Sequence, residues 1–175
     1  MAARKARVAA ALILMVSVCG VLAAQEKPGD LQARFDHETN AVQKAKMFQK
    51  LGDAQFDDIR RAEKASDFST VDLIMEKYRD NVRVASDALK KEHPDGERHP
   101  NGYKQLEMHV QKGLRQVGEL LLVAPSEFKP PLQIVRQDLL ALDDALLRVL
   151  FPRRPGDKPL PPPAPVTPPV LEKYL

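Results

Sequence analysis

Leu132, Val135, Leu139, Leu142, Leu146 and Val149 succeed one another at alternating steps of three and four residues. That spacing lays all of them along one face of a helix, in a nearly strict heptad seam. The same rhythm occurs three more times. It runs through Leu31, Phe35, Val42, Ala45, Phe48, Leu51, Phe56, Ile59 and Ala62. It runs again through Val71, Ile74, Tyr78, Val82, Ala85 and Leu89, and through Tyr103, Leu106, Val110, Gly113 or Leu114, Val117 and Leu120 or Leu121. No stretch shows the period of two that a half-buried strand needs. A chain patterned this way is expected to be all-α: an antiparallel bundle, or paired helical hairpins side by side, of about four helices.

Capping and breaking residues set the expected limits. Asp30, after Pro28-Gly29, is placed to cap a first helix over residues 30–65. Gly52 lies inside it at a cost of about 1 kcal/mol relative to Ala, and marks either a bend or a point of close packing. At 1.5 Å per residue this helix would reach about 50 Å against about 35 Å for the others, and would overhang unless it bends. Ser69, with Asp72 three residues on, fits a capping box for a second helix over residues 69–92. Residues 93–102 hold Pro94, Gly96, Pro100 and Gly102 and read as a loop. A third helix runs from Pro100 or Asn101 to Val123 and is stopped by Pro125. A fourth begins at Pro130-Pro131, which suit only a first turn, and ends at Phe151-Pro152. All three links are short, which predicts antiparallel neighbours.

The segment before the first helix has a different character. Arg4, Lys5 and Arg7 precede an apolar run, Val8 to Val18, broken only by Ser17, and small residues close it at Ala23 and Ala24. This is the pattern of a secretory signal over residues 1–24, with cleavage near Ala23 or Ala24. It predicts a periplasmic or secreted protein. Retention as an anchor is disfavoured because the apolar stretch is short of the roughly 20 residues a spanning helix needs. Lipidation at Cys19, the one cysteine, is the remaining route to a membrane, although Val18 replaces the small residue that such sites place before the cysteine. The helical domain is then expected over residues 25–151 and a proline-rich, disordered tail over residues 152–175.

The formal charge of +3 belongs to the whole chain. The leader carries three of the basic residues and no acidic one, so residues 25–175 are formally neutral. Signs are interleaved along every helix, and no concentrated positive field marks a nucleic-acid surface.

Leu51-Gly52, Phe56, Ala62 and Asp67-Phe68 resemble the helical hairpin of a tetratricopeptide repeat, over residues 45–80. Gly52 to Phe68 is longer than that family's spacing by about two turns, and no second copy occurs, so the segment reads as a generic helical hairpin. Helical stress chaperones of the bacterial periplasm carry Leu-Thr-x-x-Gln repeats, and this chain has none.

Candidate chemistry is thin. His37, His93, His99 and His109 are the histidines; His93 and His99 share a loop with Asp95 and Glu97, but no pair has the i, i+4 spacing of helical metal ligands. Asp57-Asp58 and Asp143-Asp144 are adjacent carboxylates, which diverge by about 100° on a helix and suit a solvated face, with Asp143, after Leu142, beside the seam. Ser69 and Ser126 read as cap or turn residues, and no serine sits in Gly-x-Ser-x-Gly. Gly113 falls on a seam, where it permits close helix approach; a ligand niche in the bundle is the alternative. No catalytic, cofactor-binding or metal residue is assigned from these patterns, and no cofactor. The expected function is non-enzymatic binding of a protein or cell-envelope partner; a small-ligand or metal-binding bundle in the same compartment is the alternative.

Overall fold

The computed structural model describes residues 28–152. They form five α-helices and one short 3₁₀ turn: α1 Pro28–His37, α2 Ala41–Lys64, α3 Phe68–Glu92, α4 Pro100–Val123, the 3₁₀ turn Ser126–Phe128, and α5 Lys129–Leu150. No strand occurs among the described residues. The leader, Cys19, and the tail beyond Pro152 lie outside the described residues.

The expected first helix is two helices. The apolar rhythm carries across Phe35 to Val42, but the chain turns at residues 38–40. Asn40 adopts an extended backbone and its side chain accepts from the Gln43 N–H at 2.9 Å, capping α2. Glu92, at the far end of α3, accepts from the Ala41 N–H at 3.0 Å, placing negative charge on the positive end of α2. Lys44 reaches back to donate to the Phe35 carbonyl at 3.0 Å, covering the open end of α1. These bonds, one of them from the far end of α3, satisfy both exposed helix ends, so the break needs neither Gly nor Pro. α2 then continues unbroken through Gly52, which marks close packing and no bend.

The start of α3 also differs from expectation. The cap is Asp67: its carboxylate accepts from the Thr70 N–H at 3.1 Å and from the Ser69 and Thr70 hydroxyls at 2.7 and 2.6 Å. The Thr70 and Ser69 hydroxyls and the Thr70 N–H hold the Asp67 carboxyl below its usual range. Asp72 is therefore no partner in a capping box. Ahead of this cap, α2 ends in a Schellman turn: Ser66 takes φ 58°, and the Ser66 and Asp67 N–H groups donate to the Glu63 and Ala62 carbonyls.

α2 and α3 form one antiparallel hairpin, and α4 and α5 a second. The hairpins pack side by side. α2 lies along α4 with the same polarity, so that Gly102 meets Val42 and Gly52 meets His109. α3 lies along α5 in the same way, with Phe68 against Phe128 and Arg79 against Asp138. The link over residues 93–99 crosses between hairpins, so α3 and α4 are antiparallel across the diagonal, while the backbones of α2 and α5 stay more than 8 Å apart, Cα to Cα. α1 rests on α2, and its Gln32 exchanges paired amide bonds of 3.1 and 3.0 Å with Asn81 of α3.

The seams meet in one core that includes Phe35, Phe48, Phe56, Tyr78, Leu106 and Leu139. On α5 the heptad reading drifts. Leu132, Val135, Leu139 and Leu146 are buried, but Leu142 and Val149 are only half-buried, and Asp143 and Leu150 take the inner positions. A straight helix turns about 20° per heptad away from a 3.5-residue repeat, and this drift brings Asp143 and Leu150 closer to the centre of the stripe than Leu142 and Val149. Among the described residues no helix is long and apolar enough to cross a membrane.

Candidate functional site

The densest polar chemistry lies inside the seam joining α2, α3 and α4. On α4, Leu106, His109 and Gly113 are spaced three and four residues apart, so His109 lies on the buried stripe. Its imidazole fills the space that Gly52 leaves on α2: a Cβ there would stand 2.3 Å from His109 Cε1. Tyr78 of α3 uses the space at Gly113 in the same way, where a Cβ would stand 2.6 Å from the phenol. Two glycines inside helices, each unfavourable on propensity, thus admit two rings. Phe56 stacks on the imidazole at 5.4 Å and 9°, and Phe48 meets its edge at 5.1 Å and 70°.

Polar groups continue from this pair to the surface. The Tyr78 hydroxyl stands 2.7 Å from the His109 carbonyl oxygen, to which it donates, and 2.9 Å from His109 Nδ1. His109 Nε2 stands 3.3 Å from Asp53 Oδ1, and Lys112 Nζ donates to that same oxygen at 2.5 Å. Asp53 and Lys112 are about half exposed, whereas Tyr78 and His109 are buried. Burial lowers the proton affinity of His109 below the ordinary 6.5, and Asp53 opposes that effect without overcoming it. Burial raises Asp53, but the Lys112 ammonium and then His109 outweigh it and hold the carboxyl below 3.8. Burial, helped by the Asp53 charge, pushes the Tyr78 phenol well above 10. The arrangement can hold or release one proton at His109. A buried phenol of raised pKa is a hydrogen-bond donor and not a base, which suits packing and proton storage more than turnover.

The other histidines are distributed elsewhere. His37 is exposed at the end of α1. His93 and His99 bring their rings to 5.1 Å across the 93–99 loop, where the Tyr103 hydroxyl donates to the His93 carbonyl at 2.8 Å. Asp95 in that loop is engaged by the Arg98 N–H and guanidinium, and Glu97 is exposed. Among the described residues no three His, Cys, Asp or Glu side chains gather as a metal group.

Of the acidic pairs, Asp57 and Asp58 bind Arg60 and Arg61 one turn along, on the outer face. Asp144 pairs with Arg148 at 2.7 Å. Asp143 lies further inward than the place beside the seam expected of it. It is 9% exposed, accepts from Gln111 Nε2 at 2.8 Å through Oδ2, and leaves Oδ1 buried without a protein partner. The heptad drift that moves Leu142 outward turns Asp143 inward.

Asp72 is a second unexpected carboxyl. Its Oδ1 is buried and unpartnered, and burial together with the nearby Glu76 charge pushes its pKa up to about 6. Folding holds this proton more tightly than the unfolded chain, whose value lies near 3.8. The contribution of Asp72 to stability is therefore full below about pH 4 and is lost as pH rises through about 6. Asp72→Asn is expected to raise the urea midpoint at pH 7 and to leave it close to the parent's at pH 4. An equal change at both values would contradict the assignment.

Compared with known proteins, the chain matches no family model, no curated protein and no solved structure.

Proposed function

We propose that this chain is an exported, non-enzymatic helical protein of the cell envelope that works by binding another macromolecule. The observation that carries the reading is an apolar stripe on the outer face of α5. Leu140, Leu147 and Phe151 recur seven and four residues apart, which aligns them on one side of the helix, and they are 42%, 36% and 67% exposed. Aligned apolar side chains left in water suit a contact surface better than scattered single ones. The signal-like leader supports export, and the proline-rich segment after Pro152 suits a spacer that holds the domain away from an attachment point. The groups with most catalytic potential, Tyr78 and His109, are covered by packed side chains and lie off any open face.

A photo-crosslinking residue at Leu140 or Leu147 of the full chain, in intact cells, is expected to give one discrete adduct in the envelope fraction. The same residue at Lys50 or Lys77, on the outer faces of α2 and α3, should not give it. Identical adducts from all four positions, or recovery of the chain in the cytosol, would refute the proposal.

A further inference from the structure

We propose that Tyr78, His109 and Asp53 form a proton-operated latch between α4 and the α2/α3 hairpin: with His109 neutral the seam stays closed, and a proton on its ring opens it. Such a latch is independent of the proposed export and binding role, because it is tested on the purified chain alone.

The geometry puts one ring at the meeting of three helices. The imidazole belongs to α4, fits the gap at Gly52 on α2, and contacts the Tyr78 hydroxyl from α3. The charged and titratable groups that meet it are Asp53 from α2, Tyr78 from α3 and Lys112 from α4 itself, with the Gln49 carbonyl of α2 as a further acceptor. In the neutral ring, Nε2–H donates to Asp53 and Nδ1 stands beside the hydroxyl. Protonation turns Nδ1 into a donor toward the Tyr78 oxygen, so the hydrogen bonds survive. The unfavourable part is the charge. It sits between Phe48 and Phe56, and its counter-ion Asp53 is already shared with Lys112, whose ammonium lies 5.5 Å from the Phe56 ring centre. Separating α4 from α2 lets water reach the ring and removes that cost.

The sign is set by the lowered proton affinity of His109. The opened chain takes up the proton near pH 6.5, while the closed chain resists until a lower pH. Between these values the closed state loses ground as pH falls, by up to about tenfold in its opening equilibrium per pH unit. Asp72 acts in the opposite sense over an overlapping range, so an Asp72→Asn background isolates the latch.

The test is histidine Cε1–H NMR titration and hydrogen exchange on the full chain between pH 7.5 and 5, with His109→Gln identifying the His109 resonance. His109 is expected to titrate below 6.5. Exchange at α4 amides near His109 should rise by up to about tenfold per pH unit beyond the chemical pH effect. Asp53→Asn should lower the His109 titration further, whereas Lys112→Met should raise it. These opposite shifts are read in folded variants and do not require that His109→Gln be stable. Titration of His109 at or above 6.5, shifts of the same sign in the two variants, or α4 exchange that ignores the titration would each overturn the latch.

Discussion

Leu139→Asp is expected to unfold the chain. Leu139 is wholly buried at the middle of α5, where the second hairpin meets the core. Truncating such a leucine alone costs about 2–5 kcal/mol. An aspartate adds an unpaired carboxylate in an apolar seam, which costs several kcal/mol more or forces the group to take up a proton. The sum is comparable with the whole stability of a typical domain, about 5–15 kcal/mol. Asp143, one turn further on, shows what a buried carboxylate needs here: one of its oxygens receives the Gln111 amide. Leu140→Asp, one residue along on the exposed side, should by contrast keep its fold and change stability by less than about 1 kcal/mol. Far-ultraviolet circular dichroism with a urea titration checks both. A Leu139→Asp variant that melts like the parent would contradict the packing of α5.

The fold class was legible because each helix has its own apolar stripe with the helical period. Phe48, Leu51, Phe56 and Ile59, for instance, can share a side only on a helix, and all four are buried. The break between α1 and α2 was hidden because Phe35 and Val42 keep a heptad step across it. What decides the break is long-range: Glu92 and Lys44 satisfy the helix ends from elsewhere in the fold. The cap of α3 was misplaced by two residues because Ser69 and Asp67 are both good caps, and only the backbone shows which one leaves the helix first. The inward turn of Asp143 results from slow seam drift, which a strict heptad reading ignores.

The buried polar pair was half legible. Gly113 reads as a point of close helix approach or a ligand niche, and the structure puts the Tyr78 ring in its space; Gly52 reads as either a bend or close packing. His109 lies three residues after Leu106 and four before Gly113, so its place on the inner stripe was readable from spacing. Four scattered histidines invite a reading as metal ligands, whereas His109 is a side chain that needs room. What no spacing conveys is that the gap at Gly52 faces His109 and the gap at Gly113 faces Tyr78, since that depends on how the hairpins register against each other. The same register places Asp53 and Lys112 over the imidazole and so sets its electrostatics.

Gly52→Val is expected to destabilise the fold by about 3 kcal/mol, and much of that loss should vanish when His109 is also truncated. A valine Cβ would start 2.3 Å from the imidazole, far inside contact distance. The ring has little room to retreat. Phe48 and Phe56 hold it on two sides, and Tyr78 and Asp53 fix its nitrogens. The helices must therefore part, and strain of this kind in a packed core costs about 1–3 kcal/mol, with the β-branch adding to it on a helix. His109→Ala alone leaves a cavity and unpairs the Tyr78 hydroxyl from the ring, for a loss of about 2 kcal/mol or more. Combined, the valine methyls enter the volume that the imidazole vacated. The double variant should then lose less than the two single losses added together, by at least about 1 kcal/mol of coupling. Urea denaturation of the four proteins at pH 7.5, where the His109 charge plays no part, measures that coupling directly. Simple additivity would mean that Gly52 and His109 do not share one space, and the latch would lose the close fit on which it rests.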